Sequence, residues 1–194
     1  ACEGILCDYV IIDSIGNIHA RIGNGPKTIL LSGHIDEICM IVQKINDNGT
    51  VSLLHLNGVD KKVLPGSIIN LVLEDGKVIP GIVGKLPIHM EKPDSRPSTS
   101  LVRFTKLDIG TKSKEETLEL GVTVGMPAVY SSQKLLNLNN TTRIVSSGLD
   151  DKVGVYIALT TFTNLFSRID ESWSSKYSVV FASCVQEEVG LRGA

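Results

Sequence analysis

No stretch of these 194 residues amounts to a membrane span, because the longest apolar runs stop far short of the roughly 20 residues a bilayer crossing needs. No cationic segment leads into an apolar one in the manner of a signal peptide. A soluble, cytoplasmic protein is therefore the expectation. Basic stripes are missing too: the formal charge is −2 and the Lys and Arg residues are spread along the chain. That distribution offers no footprint for nucleic acid. The four cysteines, Cys2, Cys7, Cys39 and Cys184, form no CxxC pair and no dense spacing, so they read as reduced thiols. Cys184 falls inside an apolar run and reads as core filling. Glycosylation sequons such as Asn48-Gly-Thr50 carry no weight without a secretory signal. Internal repeats and low-complexity tracts are also lacking.

What the chain does have is enough apolar content, 42% of its residues, to bury a substantial core. The most apolar segment, Ser178-Val-Val-Phe-Ala-Ser-Cys-Val-Gln186, runs straight into Glu187 and Glu188. Such a run predicts a strand buried on both faces of a sheet, over Tyr177 to Val185. In open α/β sheets ligands collect where those strands end. Adjacent buried carboxylates there need a compensating charge, and a metal ion supplies one. Thr28-Ile-Leu-Leu-Ser-Gly-His34-Ile-Asp36-Glu37 repeats the pattern, with a strand, a small-residue turn, a histidine and acids. Ser147-Gly-Leu-Asp150-Asp151-Lys152 sets two more carboxylates before a helix predicted from Lys152 to about Phe166. Its apolar face comprises Val155, Ala158, Leu159, Phe162, Leu165 and Phe166.

The opening stretch reads as strand, turn, strand, turn, strand: Tyr9 to Ile12, Ile18 to Ile22 and Thr28 to Leu31. Asn24-Gly25 between apolar runs is a hairpin signal. From about Ile41 to Val145 the character changes. Short apolar runs parted by Asp47-Asn-Gly49, Pro65-Gly66 and Asp75-Gly76, with a proline-rich stretch from Pro87 to Pro97, predict a small β-barrel or sandwich. Ser113-Lys-Glu-Glu116 is a capping box that opens one short helix, which Gly121 stops. The economical fold is an α/β domain of the doubly wound kind, from residues 1–40 and 146–194, interrupted by an inserted β domain at 41–145. The chain begins without Met and its last motif stands where an α/β unit continues, so a longer protein is expected.

Each acid-bearing segment has a plain structural reading: a half-buried histidine, a solvated glutamate pair, a helix cap. Their coincidence at strand exits and a helix start favours a joint site. Imidazole with carboxylates suits zinc, cobalt or manganese better than calcium. His34 and Asp36, two apart on extended chain, point the same way, so Asp36 can hydrogen-bond the ring nitrogen that faces away from a metal. Of the glutamates, one can bind metal while the other, its pKa raised by burial, acts as general base. Neighbouring glutamates point apart, which argues against the facing pair of carboxyls that glycoside hydrolysis needs. His19 and His55 read as structural or exposed, whereas His89 follows a turn and is a candidate for the substrate side.

The blocks His34-Ile-Asp-Glu37, Leu149-Asp-Asp-Lys-Val-Gly154 and Glu187-Glu-Val-Gly-Leu-Arg-Gly-Ala194 resemble the signatures of the glutamyl and deblocking metallo-aminopeptidases. That family builds tetrahedral particles and has also been labelled endoglucanase. Gly81-Ile-Val-Gly84 with Pro87 and His89, and Asp108 to Glu116, look like its dimerisation insert. The resemblance implies a pair of divalent ions, zinc or cobalt, bridged by Asp150. His34 would serve one ion and Glu188 the other, with Asp36 orienting His34 and Glu187 shuttling the proton. It implies attack by metal-activated water on a peptide with a free N-terminus, in a homo-oligomer built from dimers up to a dodecameric particle. Lys152 stands where the family commonly has Arg. The family also takes an Asp ligand from beyond the Glu-Glu block and a late His, so weak or absent metal binding is expected of these 194 residues alone. A non-catalytic assembly or binding module is the alternative.

Overall fold

The computed structural model describes residues 7–56, 58–84, 104–131, 136–140 and 142–193. The stretch from Pro87 to Pro97, with His89, lies outside the described residues. In chain order the elements are β1 (Tyr9–Ile12), β2 (Ile18–Ile22), β3 (Lys27–His34), β4 (Met40–Ile45), β5 (Val51–His55), β6 (Ile68–Val72), β7 (Val78–Val83) and β8 (Phe104–Asp108). Then come α1 (Lys114–Glu119), β9 (Pro127–Tyr130), β10 (Leu136–Asn137), β11 (Ile144–Val145), α2 (Leu149–Phe166), α3 (Glu171–Ser174) and β12 (Tyr177–Cys184). Two compact units divide the chain, one of residues 1–37 with 146–194 and the other of residues 38–145.

In the first unit the sheet order is β1-β2-β12-β3. Asp13 closes the β1–β2 hairpin, its Oδ1 accepting the main-chain N–H groups of Ile15, Gly16 and Asn17. The hairpin signal at Asn24-Gly25 does not join neighbours: β12 inserts between β2 and β3, antiparallel to the first and parallel to the second. The cause is burial. The terminal run is apolar on both faces and takes the interior position, with Val179 and Phe181 to Cys184 all buried. A parallel pair needs a crossover, and α2 serves as one, packing Ala158 and Phe162 against the sheet. Phe162 is fully buried, its ring centroid 6.0 Å from that of Phe181. Cys184 belongs to this interior, and burial pushes its thiol up from the usual range.

The second unit is a closed barrel in the order β4-β5-β8-β7-β6-β9. Alternate residues point inward, as the two-residue period of strands requires: Met40 and Val42, Val51 and Leu53, Ile69 and Leu71. A register shift between Val42 and Lys44 adds a residue to β4 and returns Ile45 to the interior. Helix α1 starts where its capping box stands: Ser113 accepts from the N–H of Glu116 at 3.2 Å, and Glu116 Oε2 accepts from Lys112 N–H at 2.8 Å. Its buried residue is Thr117, whereas Leu118 and Leu120 stay exposed.

His55 sits in this barrel with Nε2 hydrogen-bonded to Thr105 Oγ1 at 2.6 Å and with Nδ1 buried and unpartnered among the described residues. Burial, assisted by the charge of Lys61, lowers its pKa. The unfolded chain therefore takes up the proton first as pH falls. Stability contributed by the neutral ring is complete above the ordinary histidine value and is lost as pH drops through it toward the depressed folded value. Urea unfolding compared at about pH 7.5 and about pH 5.5 should show a loss of stability that a His55→Gln variant lacks.

Candidate metal centre

Parallel pairing decides where the site lies. Strands β3 and β12 run side by side in a register that pairs His34 with Cys184, so both chains leave the sheet at the same end. The N–H of Ile35 still bonds the carbonyl of Cys184, at 2.9 Å, one step beyond. After β12, Gln186 adopts a left-handed φ of 59° and the chain turns through Glu187 and Glu188. Helix α2 brings the third segment. Regular helix begins only past Asp150 and Asp151, whose backbone angles are non-helical and whose shared peptide bond is cis.

The two aspartates divide their work. Asp151 accepts the N–H of Gly154 at 3.1 Å and so caps the helix. A Cβ on Gly33 would lie 2.8 Å from Asp151 Oδ2 and 2.9 Å from the main-chain nitrogen of Val155, so glycine allows α2 to approach β3 this closely. Asp150 instead turns toward the histidine. His34 Nε2 lies 3.2 Å from Asp150 Oδ1 and 3.6 Å from Glu187 Oε2. Ligand atoms of His34, Glu187 and Glu188 all fall within 4.8 Å of one another. Two donors on one tetrahedral ion, each about 2.0–2.1 Å from it, lie about 3.3 Å apart, so the spacing around Nε2 and the mixed imidazole and carboxylate set both suit a divalent cation.

His34 Nδ1 is 3.1 Å from the main-chain oxygen of Asp36 and 3.5 Å from its carboxylate. A proton on Nδ1 donated to that carbonyl leaves the Nε2 lone pair facing the carboxylates, as a metal ligand requires. The carboxylate of Asp36 is engaged elsewhere: Oδ1 accepts the N–H of Glu187 at 3.2 Å and Oδ2 that of Glu188 at 3.0 Å. Sequence spacing gave no sign of this link, because main-chain partners leave no residue-type signature. It was equally silent on the ion pair between Glu37 and Lys152.

Electrostatics agree with the geometry. Burial alone would depress His34, whose side chain is 11% exposed, yet the Asp36 carbonyl and the carboxylates of Glu187, Asp150 and Asp36 together raise its pKa. The carboxyl of Glu188 is lifted above its usual range by burial first and by Glu187 next; Asp150 and Asp36 add to the rise and His34 opposes it. A cation in the cluster relieves that crowding of like charge. His19 lies apart from the cluster, its Nε2 3.3 Å from Asp13 Oδ2.

The mixed sheet with its helical crossover gathers imidazole and acids at the ends of its parallel strands, where α/β enzymes bind their ligands. A crystal structure of a TET aminopeptidase from a Thaumarchaeota archaeon superposes with a TM-score of 0.85 at 31% identity, covering 96% of this chain and 52% of that one. The TET1 peptidase of Pyrococcus horikoshii, described as assembling into a tetrahedron or a large octahedral shell, gives 0.75 at 32% identity over 95% of this chain and 53% of its own. The lysyl aminopeptidase of Pyrococcus furiosus is 27% identical across 97% of this chain and 52% of itself. The sequence profile of the M42 glutamyl aminopeptidases matches residues 16–194, and the chain belongs to that family. It spans about half the length of the curated relatives it matches.

Proposed function

We propose that the protein is a metal-dependent aminopeptidase that removes N-terminal residues from peptides. The observation that carries this reading is the approach of His34 Nε2 to Asp150 and Glu187, with Glu188 beside them, in a chain of the M42 family. His34, Asp150 and Glu188 would hold the metal, a pair of zinc or cobalt ions. When bound, such ions polarise the scissile carbonyl and make water nucleophilic near neutral pH. Glu187 takes the proton of the attacking water and delivers it to the leaving amine. Asp36 fixes the tautomer of His34 through its carbonyl and steadies the glutamate pair through its carboxylate.

Residues 1–40 and 146–194 form the catalytic part on this reading, and residues 41–145 the part that mediates dimerisation within a larger homo-oligomer. The shells formed by the TET1 peptidase support the homo-oligomer. Among the described residues no helix is long and apolar enough to cross a membrane, and a cytoplasmic location is part of the proposal. The test is an assay of the full-length protein on aminoacyl anilides and on a cellulose derivative, before and after chelation and with Co²⁺ or Zn²⁺ restored. Anilide hydrolysis that disappears on chelation and returns with metal is the expected result. Cellulose turnover that survives the chelator would overturn the proposal in favour of a glycosidase.

A further inference from the structure

Beyond the residues that face the metal cluster, one buried side chain holds together the two ends of the loop that carries it. Asn17, at the end of the β1–β2 turn, is 4% exposed. Its Oδ1 accepts the N–H of Val185 at 2.8 Å, where the chain leaves β12. Its Nδ2 donates to the carbonyl of Gly193 at 2.9 Å and to Asp13 Oδ2 at 2.9 Å. Val185 and Gly193 bracket Glu187 and Glu188. The closure is tight: a Cβ on Gly193 would lie 2.0 Å from the carbonyl oxygen of Val185 and 2.6 Å from Asn17 Oδ1.

We propose that Asn17 is a positioning residue that clasps both ends of the Val185–Gly193 loop and thereby sets the glutamate pair against His34. The chemistry requires asparagine. One side chain must accept from one main-chain N–H and donate to one main-chain carbonyl while a second donor hydrogen meets Asp13. Aspartate keeps the acceptor, loses both donors and sets a charge against Asp13 and the Gly193 carbonyl; alanine loses everything. Within the loop, Gly190 and Leu191 donate to the Glu187 carbonyl and Arg192 to that of Gln186, so the clasp closes an already folded turn. The hairpin, the element most distant in sequence from the glutamates, becomes part of their support. The consequence for metal rests on the aminopeptidase reading, whereas the clasp itself does not.

Hydrogen exchange in the metal-free full-length protein tests the clasp, and titration with Co²⁺ tests its consequence. Asn17→Ala and Asn17→Asp should each speed amide exchange at residues 187, 188 and 190–192 by about tenfold or more, with no change at Val179 to Ser183. Co²⁺ affinity should fall roughly tenfold, with an altered visible absorption spectrum of the bound ion. Should the Asn17 variants fail to fold, Gly193→Ala opens the clasp from its other end and carries the same expectation. Unchanged loop exchange, or equal acceleration throughout β12, would overturn the clasp. Altered loop exchange with unaltered Co²⁺ affinity would overturn its positioning role. A wild-type protein that takes up no Co²⁺ would overturn the metal reading instead, with the exchange result still deciding the clasp.

Discussion

Glu187→Gln in the full-length protein is expected to lower kcat on aminoacyl anilides by about 10²–10⁴-fold, the usual worth of a positioned general base. Bound metal and KM should stay near their wild-type values. The amide has the shape of the carboxylate and so should remain near its present place, 3.6 Å from His34 Nε2. The main-chain N–H of residue 187 keeps its bond to Asp36, because the substitution leaves the backbone alone. What goes is the capacity to take a proton from water. Glu188→Gln provides the contrast, since loss of a ligand charge should appear as loss of metal before loss of turnover. If Glu187→Gln turns over at the wild-type rate, Glu187 is not the base. If it loses its metal, Glu187 is a ligand, in keeping with its place in the same cluster as His34 and Glu188.

Much of this arrangement is legible in the amino-acid sequence because its signals are local. The largely apolar run that leads into Glu187 predicts an interior strand, and β12 is one. Apolar spacing from Val155 to Phe166 predicts the buried face of α2, and regular helix does begin beyond Asp151. The capping box at Ser113 predicts where α1 starts. What stayed hidden is what depends on distant partners. Asn24-Gly25 carries a genuine turn preference, but burial of β12 outweighs it and separates β2 from β3. Asp36 was legible as a partner of His34 from its spacing, yet its carboxylate reaches instead across the sheet end to two main-chain N–H groups. Asn17 stands in the β1–β2 turn, but the bonds that matter join it to residues about 170 positions away, beyond any local pattern.

Asp36 is where the competing accounts of the site separate most cleanly. Asp36→Ala in the full-length protein is expected to weaken Zn²⁺ binding by about 10- to 100-fold, the usual range for loss of an outer partner of a ligand. Two amide N–H groups, those of Glu187 and Glu188, would lose their acceptors, at a cost of about 1–3 kcal/mol each where water cannot replace them. Asp36→Asn should be nearly as damaging, because an amide side chain offers one oxygen and turns a donor against the second N–H. That expectation differs from the one drawn from sequence spacing, in which the carboxylate serves the ring of His34. There the oxygen of asparagine would still accept from Nδ1, and only alanine would be costly. It differs again from a role confined to the main chain, since the carbonyl that meets His34 Nδ1 survives both substitutions and neither would then matter. Competition titration of Zn²⁺ against a chromophoric chelator, run on the two variants side by side, distinguishes the three. Both variants weak means that Asp36 acts by holding the glutamates, alanine alone weak means that it acts on the imidazole, and both unchanged means that its side chain is dispensable to the centre.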